Sequence, residues 1–372
     1  MTRSTFCLDA RTVHPHFPGV GRYTANLAIA LAACLDANEQ LVVLRDPRQP
    51  SSWLRTDAGA RVRVVDVPVS PFAVRQQLIV PRLLQRLGTA VYHSPYYLMP
   101  FWSGVPTVVT LHDLIPLHYP RLFTPTQRLA YRVATRLAVR AARRIVAVSA
   151  AAADDIQQRL RVPAERIAII PEAADPAFRP LAAAAIAAAR HRLSLPPRYA
   201  LYVGSNKPHK NLVRLIEAWA RLRAGGAVLV IAGVWDARFS DAQQRAATLG
   251  VADSVRFLGP IVAADLPALY GGALLFVFPS EYEGFGLPVI EAMACGVPVA
   301  CSSAASLAEV TGEAALRFAP HDVEAMAAAI DSLLTDADRR ADLSQRGAAR
   351  AAQFSWATAA QQTLAVYRSV SA

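Results

Sequence analysis

Short runs of β-branched and other apolar residues alternate with stretches of helical periodicity along almost the whole chain. The apolar runs predict strands at 4–9, 41–45, 62–67, 90–93, 106–111, 145–149, 167–170, 199–204, 227–232, 255–258, 274–278, 298–301 and 315–318. Helices are predicted at 20–36, 74–87, 125–142, 151–160, 211–223, 241–249, 264–270, 287–295, 322–334, 337–352 and 356–369. This alternation is typical of α/β proteins whose parallel sheets carry helices on both faces.

The alternation is interrupted at 171–198, a proline-rich stretch that contains an Ala-rich helical piece from Leu181 to His191. We therefore predict a domain boundary here, with one domain over 1–175 and a second over 176–354. The expected architecture is two doubly wound parallel-sheet domains that face a central cleft. Ligands of such sheets bind at the carboxyl ends of the strands.

Composition excludes several classes of protein. The four cysteines are scattered without a CxxC pair, which argues against a zinc site or a disulfide framework and predicts a reducing, cytoplasmic location. No signal-like segment opens the chain, and no apolar run reaches the roughly 18 to 20 residues that span a membrane. The formal charge is +11. We expect no nucleic acid partner, because the sequence shows neither a reading helix nor an aromatic–basic platform.

The segment PSEYEGFGLPVIEAMACGVPV (279–299) is the most informative in the chain. A predicted strand ends at its start and a helix begins near Leu287, preceded by Gly284 and Gly286. Backbone N–H groups of Phe285, Gly286 and Leu287 are thus placed to meet a phosphate at a helix N-terminus. The pair Glu283 and Glu291 can bind hydroxyl groups on either side of a diphosphate. The bare Glu-x7-Glu spacing alone also fits a solvated loop residue and a helix-face residue.

A second loop, GSNKPHKN (204–211), follows a predicted strand that ends at Gly204, and it holds both lysines of an arginine-rich chain, Lys207 and Lys210. Lys210 lies beside Asn211, the predicted helix N-cap, and would present an ammonium group to the same phosphates. Two solvated lysines in one loop remain the alternative. His209 either hydrogen-bonds a phosphate or is exposed.

Two features of the first half are weaker signals. Gly19 and Gly21 are predicted to lie in a loop between a strand and a helix, where the backbone can approach a ligand closely. A dinucleotide site would need a third glycine and a suitable acidic partner, so an oxidoreductase is not expected. His112 and Asp113 end a predicted strand, which points His112 into the cleft or leaves it as a core histidine bonded to backbone. A role for Glu172 in the cleft is a further hypothesis.

Arginines recur every four residues through the helix at 125–142 and just beyond it, at Arg128, Arg132, Arg136, Arg140 and Arg144. Such a stripe either contacts an anionic membrane surface or forms a solvated helix face. The first interpretation predicts peripheral contact with the inner face of the cell membrane.

Residues 199–320 resemble the C-terminal domain of the family 4 glycosyltransferases of the GT-B fold, within its mannosyltransferase-like branch. The resemblance rests on the two loops above, on VLVIAG (228–233), on VRFLGPIVAADLPALY (255–270) and on SSAASLAEVTGEAALRFAPHD (302–322). It implies two Rossmann-like domains, the first for the acceptor and the second for the nucleotide-sugar donor. The final helix, 355–372, is expected to pack back on the first domain. Ser205 stands where many members carry arginine.

The resemblance also implies roles for single residues. Lys210 and the Phe285–Leu287 backbone would hold the diphosphate, Glu283 would contact the donor sugar, and Glu291 the ribose. His112 would lie beside the transferred sugar. The remaining implied contacts are Gly204, Ser205, Lys207, His209 and Gly284 for the donor, and Gly19, Val20, Gly21, Arg22 and Asp113 at the acceptor side of the cleft.

The sequence therefore predicts a retaining hexosyltransferase that acts on a glycan or lipid-linked glycan hydroxyl, as in cell-surface polysaccharide synthesis. GDP-mannose is the favoured donor, because the GVGRYT loop and the HDLIP strand end resemble the mannosyltransferase branch. No cofactor and no metal are expected, since no Asp-x-Asp cluster appears where a metal would bridge the diphosphate. A UDP-sugar-dependent transferase and a non-catalytic nucleotide- or sugar-binding protein on the same fold remain alternatives.

Overall fold

The computed structural model describes residues 3–13, 18–49, 61–222 and 225–371. The chain divides into two compact units. Unit 1 comprises Met1–Glu172 together with Ser355–Ala372, and unit 2 comprises Ala173–Phe354. Each unit is built around one parallel sheet.

The sheet of unit 1 has seven strands in the order β3-β2-β1-β4-β5-β6-β7. The strands are β1 (Ser4–Asp9), β2 (Glu39–Arg45), β3 (Val62–Asp66), β4 (Thr89–Ser94), β5 (Thr107–Leu111), β6 (Arg144–Ala147) and β7 (Ile167–Ile169). All pair in parallel, and Ser4 to Asp9 stand opposite Glu39 to Leu44. The order reverses between β1 and β4, the position where doubly wound sheets bind ligands beyond the carboxyl ends of their strands.

Among the described residues, helices of unit 1 lie in the connections β1–β2, β3–β4, β5–β6 and β6–β7, as parallel pairing requires. They are α1 (Pro18–Cys34), α2 (Gln76–Arg86), α3 (Ile115–His118), α4 (Pro125–Ala141) and α5 (Ala150–Leu160). Helix α4 begins with a capping box, in which the Thr124 hydroxyl accepts from the Gln127 backbone N–H and the Gln127 side chain accepts in return from the Thr124 N–H. Its buried face is formed by Tyr131, Ala134, Thr135, Ala138 and Val139.

The sheet of unit 2 has six parallel strands in the order β10-β9-β8-β11-β12-β13. The strands are β8 (Tyr199–Val203), β9 (Val228–Ala232), β10 (Val255–Gly259), β11 (Leu275–Phe278), β12 (Val299–Ser302) and β13 (Leu316–Phe318). The helices are α6 (Ala183–Arg192), α7 (Leu212–Trp219), α8 (Asp241–Thr248), α9 (Leu266–Gly271), α10 (Leu287–Ala294), α11 (Ala305–Thr311), α12 (Val323–Thr335) and α13 (Ala337–Ala351). The predicted α/β class with two doubly wound parallel sheets is thus confirmed.

The last helix, α14 (Trp356–Ser371), packs on α1 and β4 of unit 1. The Tyr367 hydroxyl lies 2.6 Å from His93 Nδ1, in the buried interior. At the surface, Arg368 donates to the Glu39 carboxylate and to Asp36. The interior of unit 1 is therefore completed by a segment distant in sequence.

One predicted loop is wrong. Gly19 and Gly21 lie with Val20 and Arg22 in the first turn of α1, because this helix begins at Pro18, two residues before the start predicted at 20, and not beyond a glycine loop. Tyr23, Leu27 and Leu31 are buried at helical spacing and fix the helix on the sheet. Glycine is tolerated in a first turn, so these residues do not require a loop. Part of the preceding connection, 14–17, lies outside the described residues.

Candidate active site

The loop that follows β8 in unit 2 is fixed by its neighbour. The Asn206 amide donates to the backbone oxygens of Asp236 (2.8 Å) and Phe239 (2.7 Å) and accepts from the Asp236 N–H (2.7 Å). A Cβ on Gly233, whose φ is +134°, would lie 2.0 Å from the Gly204 oxygen. Glycine at 233 therefore lets the residues after β8 and β9 touch, and this contact fixes the position of Gly204.

Lys210 and Glu283 meet at the carboxyl edge of this sheet. Lys210 ends a 3-10 turn after β8, Glu283 lies in the loop after β11, and those two strands pair. The ammonium nitrogen lies 2.6 Å from Glu283 Oε1, and the two side chains are 16% and 11% exposed. The same ammonium stands 5.4 Å from the centre of the Phe278 ring. Two predicted site residues thus form a largely desolvated ion pair that solvent still reaches.

The start of α10 lies directly after this pair. Gly286 precedes the helix with φ +112°, and a Cβ there would lie 2.5 Å from Leu307 Cδ2, so the position requires glycine. The Ser306 hydroxyl donates to the Glu283 backbone oxygen at 2.8 Å and so fixes the loop. Because the N-cap residue of α10 is Gly286, no N-cap side chain accepts a hydrogen bond from the first-turn N–H groups of this helix. A helix terminus of this kind presents positive partial charge to an anion.

The two glutamates of the Glu-x7-Glu pair lie at different depths. Glu291 is buried, 1% exposed, and its Oε2 accepts from the Tyr270 hydroxyl at 3.0 Å. Phe285 is also buried, with its ring edge-on to Phe354 at 5.7 Å, so its side chain belongs to the core. Gly284 is buried beside it and Leu287 is half-buried.

Two expectations about the Lys210 loop are wrong. His209 is not exposed: it is 1% exposed, and burial together with the charges of Lys210 and Lys207 lowers its pKa to about 2. Asn211 stands at the N-cap position of α7, but its side chain does not cap the helix. Its φ is +62°, and its amide donates instead to the backbone oxygens of Pro279 (3.1 Å) and Pro320 (2.6 Å). The Asn211 side chain therefore ties the loops together. Lys207 is exposed.

His112 follows β5 at the carboxyl edge of the unit 1 sheet. Its Nδ1 lies 2.9 Å from Glu172 Oε1, and its Nε2 lies 3.2 Å from the Pro95 backbone oxygen. The Tyr23 ring contacts the imidazole edge-on at 4.7 Å. The ring is therefore held in one orientation from three sides, and Glu172 is brought to it from the end of unit 1.

The neighbouring Asp113 has a structural contact. Its Oδ1 accepts from the Ile115 N–H at 3.0 Å and so supports the short helix α3, which the sequence pattern did not predict. Gly21 is buried, whereas Gly19, Val20 and Arg22 are half-buried in α1. Acceptor contacts by these residues stay predictions.

Sequence reasoning missed a buried network beside this edge. Arg11 donates to both carboxylate oxygens of Asp9 (2.8 and 2.6 Å), and the Tyr92 hydroxyl donates to Asp9 Oδ2 at 2.6 Å. Burial acts to raise the pKa of Asp9, but Arg11 and the hydrogen bonds outweigh it and lower that pKa. An acidic residue at the end of a buried strand, followed by arginine two residues later, was the available signal.

Among residues 3–13, 18–49, 61–222 and 225–371, no group of three or more His, Cys, Asp or Glu side chains is placed to hold a metal ion. In the same part of the chain, no helix combines the length and apolar character needed to cross a bilayer.

Comparison with known proteins places both units. A family model described as "Glycosyltransferase Family 4" matches residues 18–178, and one described as "Glycosyl transferases group 1" matches residues 186–350. The O-antigen chain mannosyltransferase B of Escherichia coli is 34% identical over 75% of this chain and 74% of its own length.

Two further matches extend the comparison. The serotype-specific mannosyltransferase WbdA of Escherichia coli is 32% identical over 68% of this chain, which spans only 32% of that protein. HepE of Anabaena, solved with UDP and glucose, superposes with a TM-score of 0.77 at 22% identity, covering 99% of this chain and 100% of its own. This likeness shows the GT-B fold. The chain is therefore a glycosyltransferase and belongs to glycosyltransferase family 4, where it is similar to mannosyltransferases.

Proposed function

We propose that this glycosyltransferase transfers a mannosyl residue from GDP-mannose to a hydroxyl of a glycan or lipid-linked glycan, with retained anomeric configuration. The observation that carries the proposal is the Lys210–Glu283 pair at the start of α10. Support for mannose comes from the 34% identity to O-antigen chain mannosyltransferase B. Cell-surface polysaccharide synthesis is the corresponding process.

The chemistry needs the diphosphate stabilised as the bond to the sugar breaks. Lys210 and the first-turn N–H groups of α10 would supply fixed positive charge where the leaving group becomes more negative. Such groups act most strongly when water is excluded, and Lys210 is already largely desolvated. No step in this scheme uses a metal ion.

Glu283 has a second role in this proposal. Its carboxylate accepts a hydrogen bond from the Lys210 ammonium at 2.6 Å and neutralises that charge. A bound diphosphate would share the ammonium, which leaves carboxylate lone pairs for hydroxyl groups of the donor sugar. Glu291 would contact the ribose, and His112, oriented by Glu172, would stand beside the transferred sugar.

The donor is tested by incubating the purified chain with GDP-mannose or UDP-glucose and a neutral mannose oligosaccharide acceptor. We expect GDP release and a glycosylated product with GDP-mannose and not with UDP-glucose. A metal chelator should leave the rate unchanged, and the one-bond C1–H1 coupling of the new mannoside should report retention. Thermal stabilisation by GDP, and not by UDP, is the accompanying binding measurement.

The same experiment separates the alternatives. Turnover with UDP-glucose and stabilisation by UDP would replace GDP-mannose with a UDP-sugar as the donor. Nucleotide binding without release of a diphosphate from any donor would indicate a non-catalytic binding protein. Loss of activity in chelator that is restored by a divalent ion would overturn metal independence.

We also propose that α4 contacts an anionic membrane surface. Arg132, Arg136 and Arg140 are exposed and Arg128 is half-exposed, and none of the four forms an ion pair with a described residue. Leu129 and Val133 are 65% and 48% exposed. A helix face that combines unpaired arginines with exposed apolar side chains fits the headgroup region of an anionic leaflet. Such contact would bring the enzyme to a lipid-linked acceptor.

A further inference from the structure

A cavity of about 310 Å³ opens at the carboxyl edge of the unit 1 sheet, where the strand order reverses between β1 and β4. Residues that follow β1, β2, β3 and β4 contribute to its lining, which includes Arg11, Asp46, Arg48, Ser70, Phe72 and Tyr96. The volume lies at the lower end of the range of small-ligand sites, which suits a single sugar ring. Arg11 belongs to the buried network with Asp9 and Tyr92 described above, and the other residues of this lining belong to no site described so far.

The innermost lining group is Arg11, which is 2% exposed. Besides Asp9, its guanidinium donates to the Val69 backbone oxygen (3.0 Å) and to Gln76 Oε1 (3.1 Å). Its donors are therefore largely used within the protein, and its charge is balanced by Asp9 at 2.6 Å. A buried group held by this many contacts forms a rigid wall for a ligand.

The second charged group is the pair of Asp46 and Arg48, whose Oδ2 and Nη2 atoms are 2.7 Å apart. Asp46 is 5% exposed, whereas the Arg48 side chain is 52% exposed. Because Arg11 is balanced by Asp9 and Arg48 by Asp46, the charged groups at this cavity sum to zero among the described residues. The charge balance favours a neutral ligand over a phosphate or a uronic acid.

The remaining lining is polar and aromatic. The Phe72 side chain is 58% exposed, and its backbone N–H donates to the Ser70 hydroxyl at 3.2 Å, which fixes the turn. A sugar ring has an apolar C–H face and a rim of hydroxyl groups. An aromatic ring beside carboxylate, guanidinium and hydroxyl groups matches both.

The cavity is connected to His112 through one loop. Tyr96 lines the cavity, and the backbone oxygen of the preceding residue, Pro95, is the group that contacts His112 Nε2 at 3.2 Å. Both features lie at the same edge of one sheet. We propose that this cavity binds a neutral hexose of the acceptor glycan, with Phe72 against the ring face and Asp46 and Arg48 on its hydroxyl groups. This inference rests on the proposed glycosyl transfer.

The test measures saccharide binding without donor, by saturation-transfer NMR and titration calorimetry on the full chain. The probes are neutral hexose disaccharides, including α-linked mannobiose, and a glucuronic acid-containing disaccharide of the same size. We expect neutral disaccharides to bind and the acidic one to bind at least tenfold more weakly. Phe72→Ala and Asp46→Asn should each weaken neutral binding about tenfold or more, which corresponds to the loss of one good contact.

Trp102→Ala is the matched control, because Trp102 is an exposed aromatic side chain of unit 1, 69% exposed, outside this lining. It should bind disaccharide as the parent does. Phe72 is exposed, so its replacement should leave the melting temperature unchanged even if Asp46→Asn destabilises unit 1. Stabilisation by GDP should be the same in Phe72→Ala as in the parent.

Three results would overturn the inference: no neutral disaccharide binds, the acidic one binds as well as the neutral ones, or Phe72→Ala binds as the parent does. Failure of the proposed function has a different signature. In that case neutral disaccharides bind in a Phe72-dependent manner, but GDP-mannose is neither bound nor consumed.

Discussion

The Lys210 ammonium has a carboxylate at 2.6 Å and an aromatic ring at 5.4 Å, and its carboxylate partner, Glu283, lies in the loop that leads into the N-terminal turn of α10. In an arginine-rich chain its ammonium is the compact alternative to a planar guanidinium. The local geometry therefore suits a point charge that can turn between Glu283 and a bound diphosphate.

Replacing Lys210 tests this directly. We expect Lys210→Ala to lower the rate of sugar transfer about 10²- to 10³-fold, as removal of one group that stabilises leaving-group charge does. Lys210→Arg should recover little of it, since the larger fork does not fit the same space. Initial rates of GDP release measure the effect.

Arg245→Ala is the control, because Arg245 forms an ion pair with Glu217 elsewhere in unit 2, at 2.8 Å. It should react at the parent rate. Activity of Lys210→Ala within a few-fold of the parent would refute the site assignment.

Two buried histidines make stability depend on pH. Burial, with the charge of His112, lowers the pKa of His93 to about 3, and the pKa of His209 is lowered to about 2. In the unfolded chain both titrate near about 6.5. The unfolded state therefore binds more protons below that pH, and the free energy of unfolding falls as pH drops from about 6.5 towards 3, by about 1.4 kcal/mol per pH unit for each histidine.

Chemical denaturation at pH 7.5 and pH 5.0 measures this loss, which should be smaller in His93→Gln than in the parent. His191→Gln, at an exposed histidine, should keep the parent's pH dependence. An unchanged pH dependence in His93→Gln would show that the unfolded state gains no extra proton at this position.

At the scale of elements, burial explains which predictions succeeded. The strands were predicted to within one or two residues, because each is a short apolar run; β1, β5, β11 and β12 are almost entirely buried, whereas β3 and β7 are only partly so. The prediction of a glycine loop before α1 was wrong, because glycine indicates a loop only where the following apolar residues do not form the buried face of a helix. Here Tyr23, Leu27 and Leu31 form such a face. Short α3 is supported by Asp113 and lacks the periodicity needed to predict it.

Helix α4 carries a prediction of its own. We expect the parent to bind liposomes that contain anionic lipid, and binding to decrease at least tenfold when Arg128, Arg132, Arg136 and Arg140 are all changed to Ser. The expected loss is about 1 kcal/mol per arginine near an anionic surface. Liposome flotation at physiological salt, repeated with neutral lipid, is the measurement.

A control variant with the same change in net charge replaces four arginines of unit 2 with Ser: Arg221, Arg245, Arg339 and Arg346. Three of these form ion pairs with Glu324, Glu217 and Asp342. This variant should bind liposomes as the parent does. An equal loss of liposome binding in both variants would show that the binding depends on net charge and not on α4. If the parent does not bind liposomes, membrane contact is refuted.

At the scale of the whole molecule, the order of the strands in each sheet could not be predicted from the sequence. Both donor-site loops were predicted separately, but their meeting depends on the pairing of β8 with β11, which no local pattern encodes. For the same reason, the hydrogen bonds of Tyr270 with Glu291 and of Tyr92 with Asp9 could not be predicted from the sequence. Contacts between residues distant in sequence decide the site, whereas local periodicity decides the elements.

Unit 1 is built from two segments that are distant in sequence, and this has a consequence for folding during synthesis on the ribosome. Residues of Ala173–Phe354 emerge together and can fold at once, whereas unit 1 waits for α14, although its first strand is made long before. Until Tyr367 arrives, the nascent chain leaves His93 and the apolar face of α1 uncovered. Unit 1, whose N-terminal part is synthesised first, thus completes its fold last. A chaperone would bind unit 1 in the time between synthesis of its first strand and synthesis of α14.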